Sequence, residues 1–106
     1  MPITSRAIFK RTELDEEIKS VLSKLGPEVV HTAYRLREDS TGEPAIFIRI
    51  VLADEATRED IFFANTRRIV SAIWDELNPV DNWGLFAYVN FRSQTEHQNR
   101  QGRDWE

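Results

Sequence analysis

Apolar residues recur at helical spacing in two segments of the chain. In the first segment they fall at i, i+4, i+7, i+8 and i+11, at Leu14, Ile18, Val21, Leu22 and Leu25. In the second, from about Thr57 to Leu77, the apolar stripe contains Phe62, Ile69, Ile73 and Leu77. This spacing places the apolar side chains on one face and is typical of amphipathic helices. Gly26–Pro27 and Asn78–Pro79 follow the two stripes and predict where the helices end.

Each predicted helix is preceded by a threonine with an aspartate three positions later. Thr12 stands before Asp15, and Thr57 stands before Asp60. The pattern is similar to a capping box, in which the threonine side chain accepts a hydrogen bond from the first turn. The sequence therefore predicts side-chain caps at both helix starts.

Three other segments alternate between apolar and polar residues and predict strands: residues 29–37, 44–52 and 84–92. The middle strand has one wholly aliphatic face, formed by Ile46, Ile48, Ile50 and Leu52. In the first strand the inward residues would be Val30, Thr32, Tyr34 and Leu36. The short polar turn at 38–43 favours an antiparallel hairpin. Its expected pairs are Arg37 with Ala45, Arg35 with Phe47, Ala33 with Arg49 and His31 with Val51.

The predicted element order is α-β-β-α-β. A three-stranded sheet needs a covering layer, and two amphipathic helices on one face provide it. We therefore predict an α+β fold, a two-layer sandwich with two helices on one face of a three-stranded sheet. Residues 1–92 form a single domain in this interpretation, with 1–11 as an N-terminal arm. Residues 93–106 are polar, lack periodicity, and are expected to be a flexible tail.

The composition of the 106 residues narrows the functional classes. The chain is 41% hydrophobic and 30% charged, with a net charge of −4 and no cysteine. The absence of cysteine excludes disulfides, thiolate metal sites and thiol nucleophiles. No apolar run reaches the roughly 18 residues of a membrane helix, and residues 1–4 lack the layout of a signal peptide. We expect a cytoplasmic protein with no membrane partner.

Motifs for catalysis and cofactor binding are absent from the sequence. The four glycines stand far apart, which excludes glycine-rich phosphate loops, and there is no GxSxG or HExxH pattern. An acidic group could bind a divalent cation, and it contains Asp54, Glu55, Glu59 and Asp60. Acidic residues are also common at a helix start, which accounts for the group without a metal. The sequence therefore indicates no catalytic residue, no metal site and no cofactor.

The sheet face opposite the helices carries an unusual set of residues for an acidic protein. Four arginines, three aromatic residues and a histidine would gather there, and the predicted partner-binding residues are His31, Arg35, Arg37, Phe47, Arg49, Phe86, Tyr88 and Arg92. Such a face can simply be solvated. It can also form a protein interface, in which arginine and aromatic residues are enriched, or bind single-stranded RNA by base stacking.

Of these interpretations we favour a non-enzymatic protein-interaction or regulatory module that binds itself as a homodimer, or binds another protein, through this face. An RNA-associated protein using the same face is the alternative. A metal-dependent hydrolase built on the acidic cluster near Asp54 is a second alternative from a different class.

Overall fold

The computed structural model describes residues 10–100. Its elements follow in the order α1 (Arg11–Leu22), β1 (Val29–Glu38), β2 (Pro44–Leu52), a 3-10 turn (Asp54–Thr57), α2 (Glu59–Leu77), α3 (Pro79–Trp83), β3 (Phe86–Ser93) and α4 (Gln94–Arg100). Most of the predicted N-terminal arm and the last six residues of the predicted tail lie outside the described residues. Within the described range, no helix is both long enough and apolar enough to cross a membrane.

The three strands form one sheet with β2 in the centre. Strands β1 and β2 are antiparallel, and the pairs Arg37–Ala45, Arg35–Phe47 and His31–Val51 form in the register expected from the sequence. Strand β3 pairs with β2 in parallel, because the α2–α3 connection returns the chain to the same end of the sheet. The predicted α+β class is confirmed, and the sheet is mixed.

One face of the sheet packs against α1 and α2 and forms the hydrophobic core. The aliphatic row of β2 is completely buried, and the apolar stripe of each helix is buried from Leu14 and Ile69 onward. Trp83 of α3 and Leu85, which follows it, join the same cluster. The fully buried side chains include Leu14, Ile18, Ile46, Ile48, Ile50, Leu52, Ile69 and Ile73. Burial of these apolar side chains is the main source of folding free energy.

The start of β1 contains an irregularity that the alternating pattern did not predict. Val29 pairs with Leu52 and His31 pairs with Val51, so Val30 is an extra residue in the ladder. Such a bulge shifts the inward and outward positions by one residue. Val29 therefore packs against the core, whereas Val30 is 45% exposed. The expectation that Val30 faces the core is wrong.

The predicted cap of the first helix does not form. Helix α1 begins at Arg11 after Lys10, and no side chain caps it. Thr12 therefore lies within the first turn, where its hydroxyl cannot act as the cap. Asp15 instead accepts hydrogen bonds from Arg11 Nε at 3.0 Å and from the Tyr34 hydroxyl at 2.6 Å, which ties α1 to β1.

The second predicted cap is also wrong. Helix α2 begins at Glu59 after Arg58, without a side-chain cap. Thr57 ends the preceding 3-10 turn and donates its hydroxyl to the Asp54 carbonyl at 2.8 Å. The buried stripe also begins later than expected, because Phe62 is 38% exposed.

The predicted end of α2 agrees with the structure. Asn78 adopts a left-handed conformation with φ of 46°, and its N–H donates to the Trp74 carbonyl. Pro79 then starts the short helix α3. Proline suits the first position of a helix because its missing N–H would have no helical partner.

The first part of the expected polar tail forms regular secondary structure. Strand β3 continues to Ser93 and helix α4 follows directly. Asp54 accepts hydrogen bonds from the Thr95 N–H at 3.0 Å and from the Thr95 hydroxyl at 2.5 Å, and so attaches α4 to the 3-10 turn. A seven-residue polar helix has no apolar period, which is why the sequence pattern missed it.

Candidate interaction surface

The sheet face opposite the helices, called the outer face here, brings the eight predicted partner-binding residues onto one side of the sheet. Two rows of neighbouring residues cross it at the end nearer the β1–β2 turn. One row is Arg35, Phe47 and Tyr88, and the other is Arg37, Ala45 and Phe86. His31, Arg49 and Arg92 occupy the opposite end, as the register predicts.

Helix α4 lies against that opposite end of the outer face. The His31 and His97 rings are stacked, with centroids 5.4 Å apart. Val51 of the outer face is only 1% exposed, although the main helical layer lies on the other side of the sheet. The helix thus divides the outer face into a covered end and an open end.

Two of the predicted contact residues are consequently buried. Arg92 is 6% exposed and Arg49 is 9% exposed. The sequence analysis placed both on an uncovered face, and the structure covers them; their part in binding a partner stays a prediction. His31 remains exposed, and one of its neighbours is the His97 ring.

At the open end, three side chains form a stack. The Tyr88 ring lies 5.1 Å from the Phe47 ring at an interplanar angle of 15°. The Arg37 guanidinium lies 4.2 Å from the centre of the Phe47 ring, within the range of a cation–π contact. Tyr88 and Arg37 both pack on Phe47, and these contacts restrict the motion of its ring.

Asp39, which the sequence analysis did not select, fixes the position of Tyr88. The Tyr88 hydroxyl donates to Asp39 Oδ2 at 2.8 Å. Asp39 Oδ1 accepts from the Thr41 hydroxyl at 2.7 Å, from the Thr41 N–H at 2.9 Å and from the Glu43 N–H at 3.0 Å. Gly42, with φ of 85°, lets the turn close around this carboxylate.

These hydrogen bonds shift the pKa of both partners. The Thr41 and Tyr88 hydroxyls stabilise the charged form and lower the pKa of Asp39 to about 2. The same carboxylate raises the pKa of the Tyr88 phenol, because the neutral hydroxyl is the donor. Near neutral pH the surface therefore has a fixed negative charge at Asp39.

Two grooves flank the Asp39–Tyr88 pair. The edge groove has a volume of about 410 Å³, and its lining includes Val80, Leu85, Phe86 and Glu43 besides the pair itself. The turn groove has a volume of about 360 Å³, and its lining includes Arg37, Glu38 and Phe47 besides the same pair. The pair thus forms a ridge between an apolar groove with an acidic rim and a groove lined by charged residues of both signs.

Phe86 gives the edge groove an exposed aromatic wall. Its side chain is 49% exposed, and Val80 beside the groove is 46% exposed. The Phe86 ring contacts Trp74 of α2 edge-on at 5.7 Å and Tyr88 at 5.4 Å. The aromatic contacts therefore continue from Phe47 through Tyr88 and Phe86 to Trp74.

Two residues of the acidic group that was considered as a metal site form hydrogen bonds or an ion pair within the protein. Asp54 uses both carboxylate oxygens to bind Thr95, and these hydrogen bonds lower the pKa of Asp54. Asp60 lies 3.4 Å from Arg58 Nε in an exposed ion pair. Among the described residues, no group of three or more histidine, cysteine or acidic side chains is arranged to hold a metal ion.

Part of this surface could have been anticipated from the sequence. An aspartate followed by Ser-Thr-Gly is a common turn signal, because its side chain binds backbone N–H groups two residues on. No feature of the neighbouring sequence indicates that the same carboxylate accepts a hydrogen bond from Tyr88, 49 residues away. The contacts of Trp74 and His97 with the sheet are likewise tertiary.

Comparisons of the chain with protein-family models, with curated proteins and with solved structures find no significant match. The functional interpretation therefore depends on the geometry of the open end of the outer face.

Proposed function

We propose that this chain is a non-enzymatic protein-interaction module that forms a homodimer through the open end of the outer face. The observation that carries the proposal is the continuous aromatic surface from Phe47 through Tyr88 to Phe86, with Arg37 packed on it. Aromatic and arginine side chains dominate the energetic centres of protein interfaces.

The aromatic side chains of this surface are ordered before any partner arrives. Tyr88 is held by Asp39 at 2.8 Å, and Phe86 is held between the Trp74 and Tyr88 rings. Ordering a flexible side chain at an interface costs roughly 0.5–1.5 kcal/mol, and rings that are already fixed lose less. This preorganisation favours binding through a small surface.

The ring arrangement favours a protein partner over single-stranded RNA. Base stacking needs an aromatic face open to solvent. Phe47 is stacked on Tyr88 at 15° and is also contacted by the Arg37 guanidinium, so it offers little open face, which leaves Phe86, 49% exposed, as the main open ring of this end. The net charge of −4 also opposes the phosphate backbone.

Light scattering after gel filtration, at low and at high salt, tests the proposal. We expect a mass of twice the 12.4 kDa chain at both salt concentrations. Absorbance at 260 and 280 nm should indicate protein alone. A monomer carrying nucleic acid that high salt releases would contradict the proposal and favour RNA.

A pair of phenylalanine substitutions locates the surface. Phe86→Ala should weaken the dimer, because it removes the exposed ring beside the edge groove. Phe63→Ala is the matched control: Phe63 is 68% exposed on α2, where it contacts Arg67. Equal effects of the two substitutions on the dimer would place the interface elsewhere.

A further inference from the structure

The edge groove has the size and the composition of a small-molecule site. Such sites are mostly apolar and contain a few polar groups, and the groove volume of about 410 Å³ lies within their usual range. Apolar walls are supplied by Pro44, Val80, Leu85 and Phe86. The groove can therefore take up an apolar group and remove it from water.

Hydrogen bonds within the chain fix both sides of the edge groove. On the side of the β1–β2 turn, Asp39 Oδ1 accepts from the Thr41 N–H at 2.9 Å and from the Glu43 N–H at 3.0 Å. On the side of α3, the Gly84 N–H donates to the Val80 carbonyl at 3.0 Å. Ligand sites are usually formed before the ligand arrives, and these bonds give the groove that property.

The charged side chains that line the edge groove are all negative. Asp39 and Glu43 line it, whereas no basic residue of the described range does. Neither carboxylate forms an ion pair with a basic residue in residues 10–100. The Thr41 and Tyr88 hydroxyls lower the pKa of Asp39 to about 2, so its charge persists near neutral pH. The groove therefore attracts a positively charged ligand and repels an anion.

Phe86 adds an aromatic ring to the same end of the sheet. It pairs with Ala45 of β2, which follows Glu43 by two residues. The Phe86 side chain is 49% exposed and lines the groove. Because the face of an aromatic ring attracts a cation, the ring and the two carboxylates favour the same kind of ligand.

We propose that the edge groove binds a small organic cation, a protonated amine carried on an apolar body. The ammonium group lies between the Glu43 carboxylate and the Phe86 ring, and the apolar body packs against Val80. This inference goes beyond the proposed homodimer, because it assigns a ligand to a groove beside the aromatic surface.

Three probes with the same aromatic ring test the charge requirement. Phenethylamine is the cation, phenethyl alcohol is its neutral counterpart, and phenylacetate is the anion. Amide NMR spectra of the isotope-labelled full chain follow each titration. We expect phenethylamine to shift the resonances of Thr41, Glu43 and Gly84, and to bind about tenfold more tightly than phenethyl alcohol. Phenylacetate should bind most weakly.

Two glutamate variants separate a local effect from one of net charge. Glu43→Gln removes the charge at the groove and should raise the dissociation constant of phenethylamine about threefold, while that of phenethyl alcohol stays unchanged. Glu59→Gln is the matched control, because Glu59 is exposed at the start of α2, beyond the opposite end of β2. We expect Glu59→Gln to bind all three probes like the unmodified chain.

A third variant tests the aromatic ring. Phe86→Leu keeps an apolar wall and removes the aromatic face. We expect it to reduce the preference for phenethylamine over phenethyl alcohol, since only the cation interacts with the ring charge. An unchanged preference in Phe86→Leu would overturn the place of the ammonium group beside Phe86.

Other outcomes overturn the assignment of the ligand. Equal affinity for phenethylamine and phenethyl alcohol would make the groove merely apolar, and equal effects of Glu43→Gln and Glu59→Gln would place the cation elsewhere. Tighter binding of acetyl-Ala-Lys-Ala-amide than of phenethylamine would replace the small cation by a basic peptide. The mass of the ligand-free chain is measured separately, so a failure to bind phenethylamine leaves the homodimer standing, and a monomeric chain leaves the ligand site standing.

Discussion

The bulge at the start of β1 makes a quantitative prediction about two adjacent valines. Val29 packs against the core and Val30 is 45% exposed. Truncation to alanine removes two methyl groups, and each buried carbon contributes roughly 0.8 kcal/mol. Since Val29 is only partly buried, Val29→Ala should lower the free energy of unfolding by about 1 kcal/mol. Val30→Ala should change it by about 0.5 kcal/mol or less.

Urea unfolding monitored by tryptophan fluorescence measures both changes. A difference of about 0.5 kcal/mol corresponds to roughly 0.2–0.5 M in the midpoint, given slopes of about 1–3 kcal/mol/M for small domains. The two variants share one chemical change and one strand, which makes each a control for the other. If β1 alternated regularly, Val30 would lie in the core, and Val30→Ala would then lower the free energy of unfolding more than Val29→Ala. A larger loss for Val30→Ala would therefore refute the bulge.

Three further predictions follow from buried or hydrogen-bonded residues. Ile48→Ala, at a fully buried position of the central strand, should lower the free energy of unfolding by about 2–5 kcal/mol in urea unfolding, and a loss under 1 kcal/mol would contradict its packing. Burial and the hydrogen bond to Asp15 raise the pKa of Tyr34 to about 12, so stability should fall as pH rises from about 10 to 12. Absorbance at 295 nm follows its ionisation, and a midpoint near 10 would contradict the contact. The pKa of Asp39 is lowered to about 2, so its contribution to stability should be lost as pH falls from about 4 to 2. Asp39→Asn should lack this component, and an unchanged pH profile would contradict the role of the carboxylate.

The hairpin register shows why part of this fold is readable from sequence. Ile46, Ile48 and Ile50 must all face the helices, and a slip of one residue would expose every one of them. The free-energy penalty of exposing these side chains specifies the pairing of Arg35 with Phe47 without knowledge of the tertiary structure. The same logic identified the buried stripes of α1 and α2.

The errors arise where a local pattern competes with tertiary contacts. Thr12 and Thr57 matched a capping pattern, but α1 begins at Arg11 and α2 at Glu59, so neither threonine occupies the cap position. Val30 matched the alternation of a strand, and a bulge changed its side. Arg92 matched an exposed position, but it is only 6% exposed, and a polar helix with no apolar period follows directly after its strand.

The sequence by itself determined the α+β class, the two helices, the antiparallel hairpin and the residues of the outer face, because apolar periodicity depends only on spacing along the chain. Only the tertiary structure decided the parallel pairing of β3, the cover provided by α4 and the ridge between the two grooves. These features depend on contacts between residues far apart in the chain, such as Asp39 with Tyr88 and Asp54 with Thr95. Hydrogen bonds of this kind leave no periodic signal, because each is specified by a single pair of side chains that folding brings together.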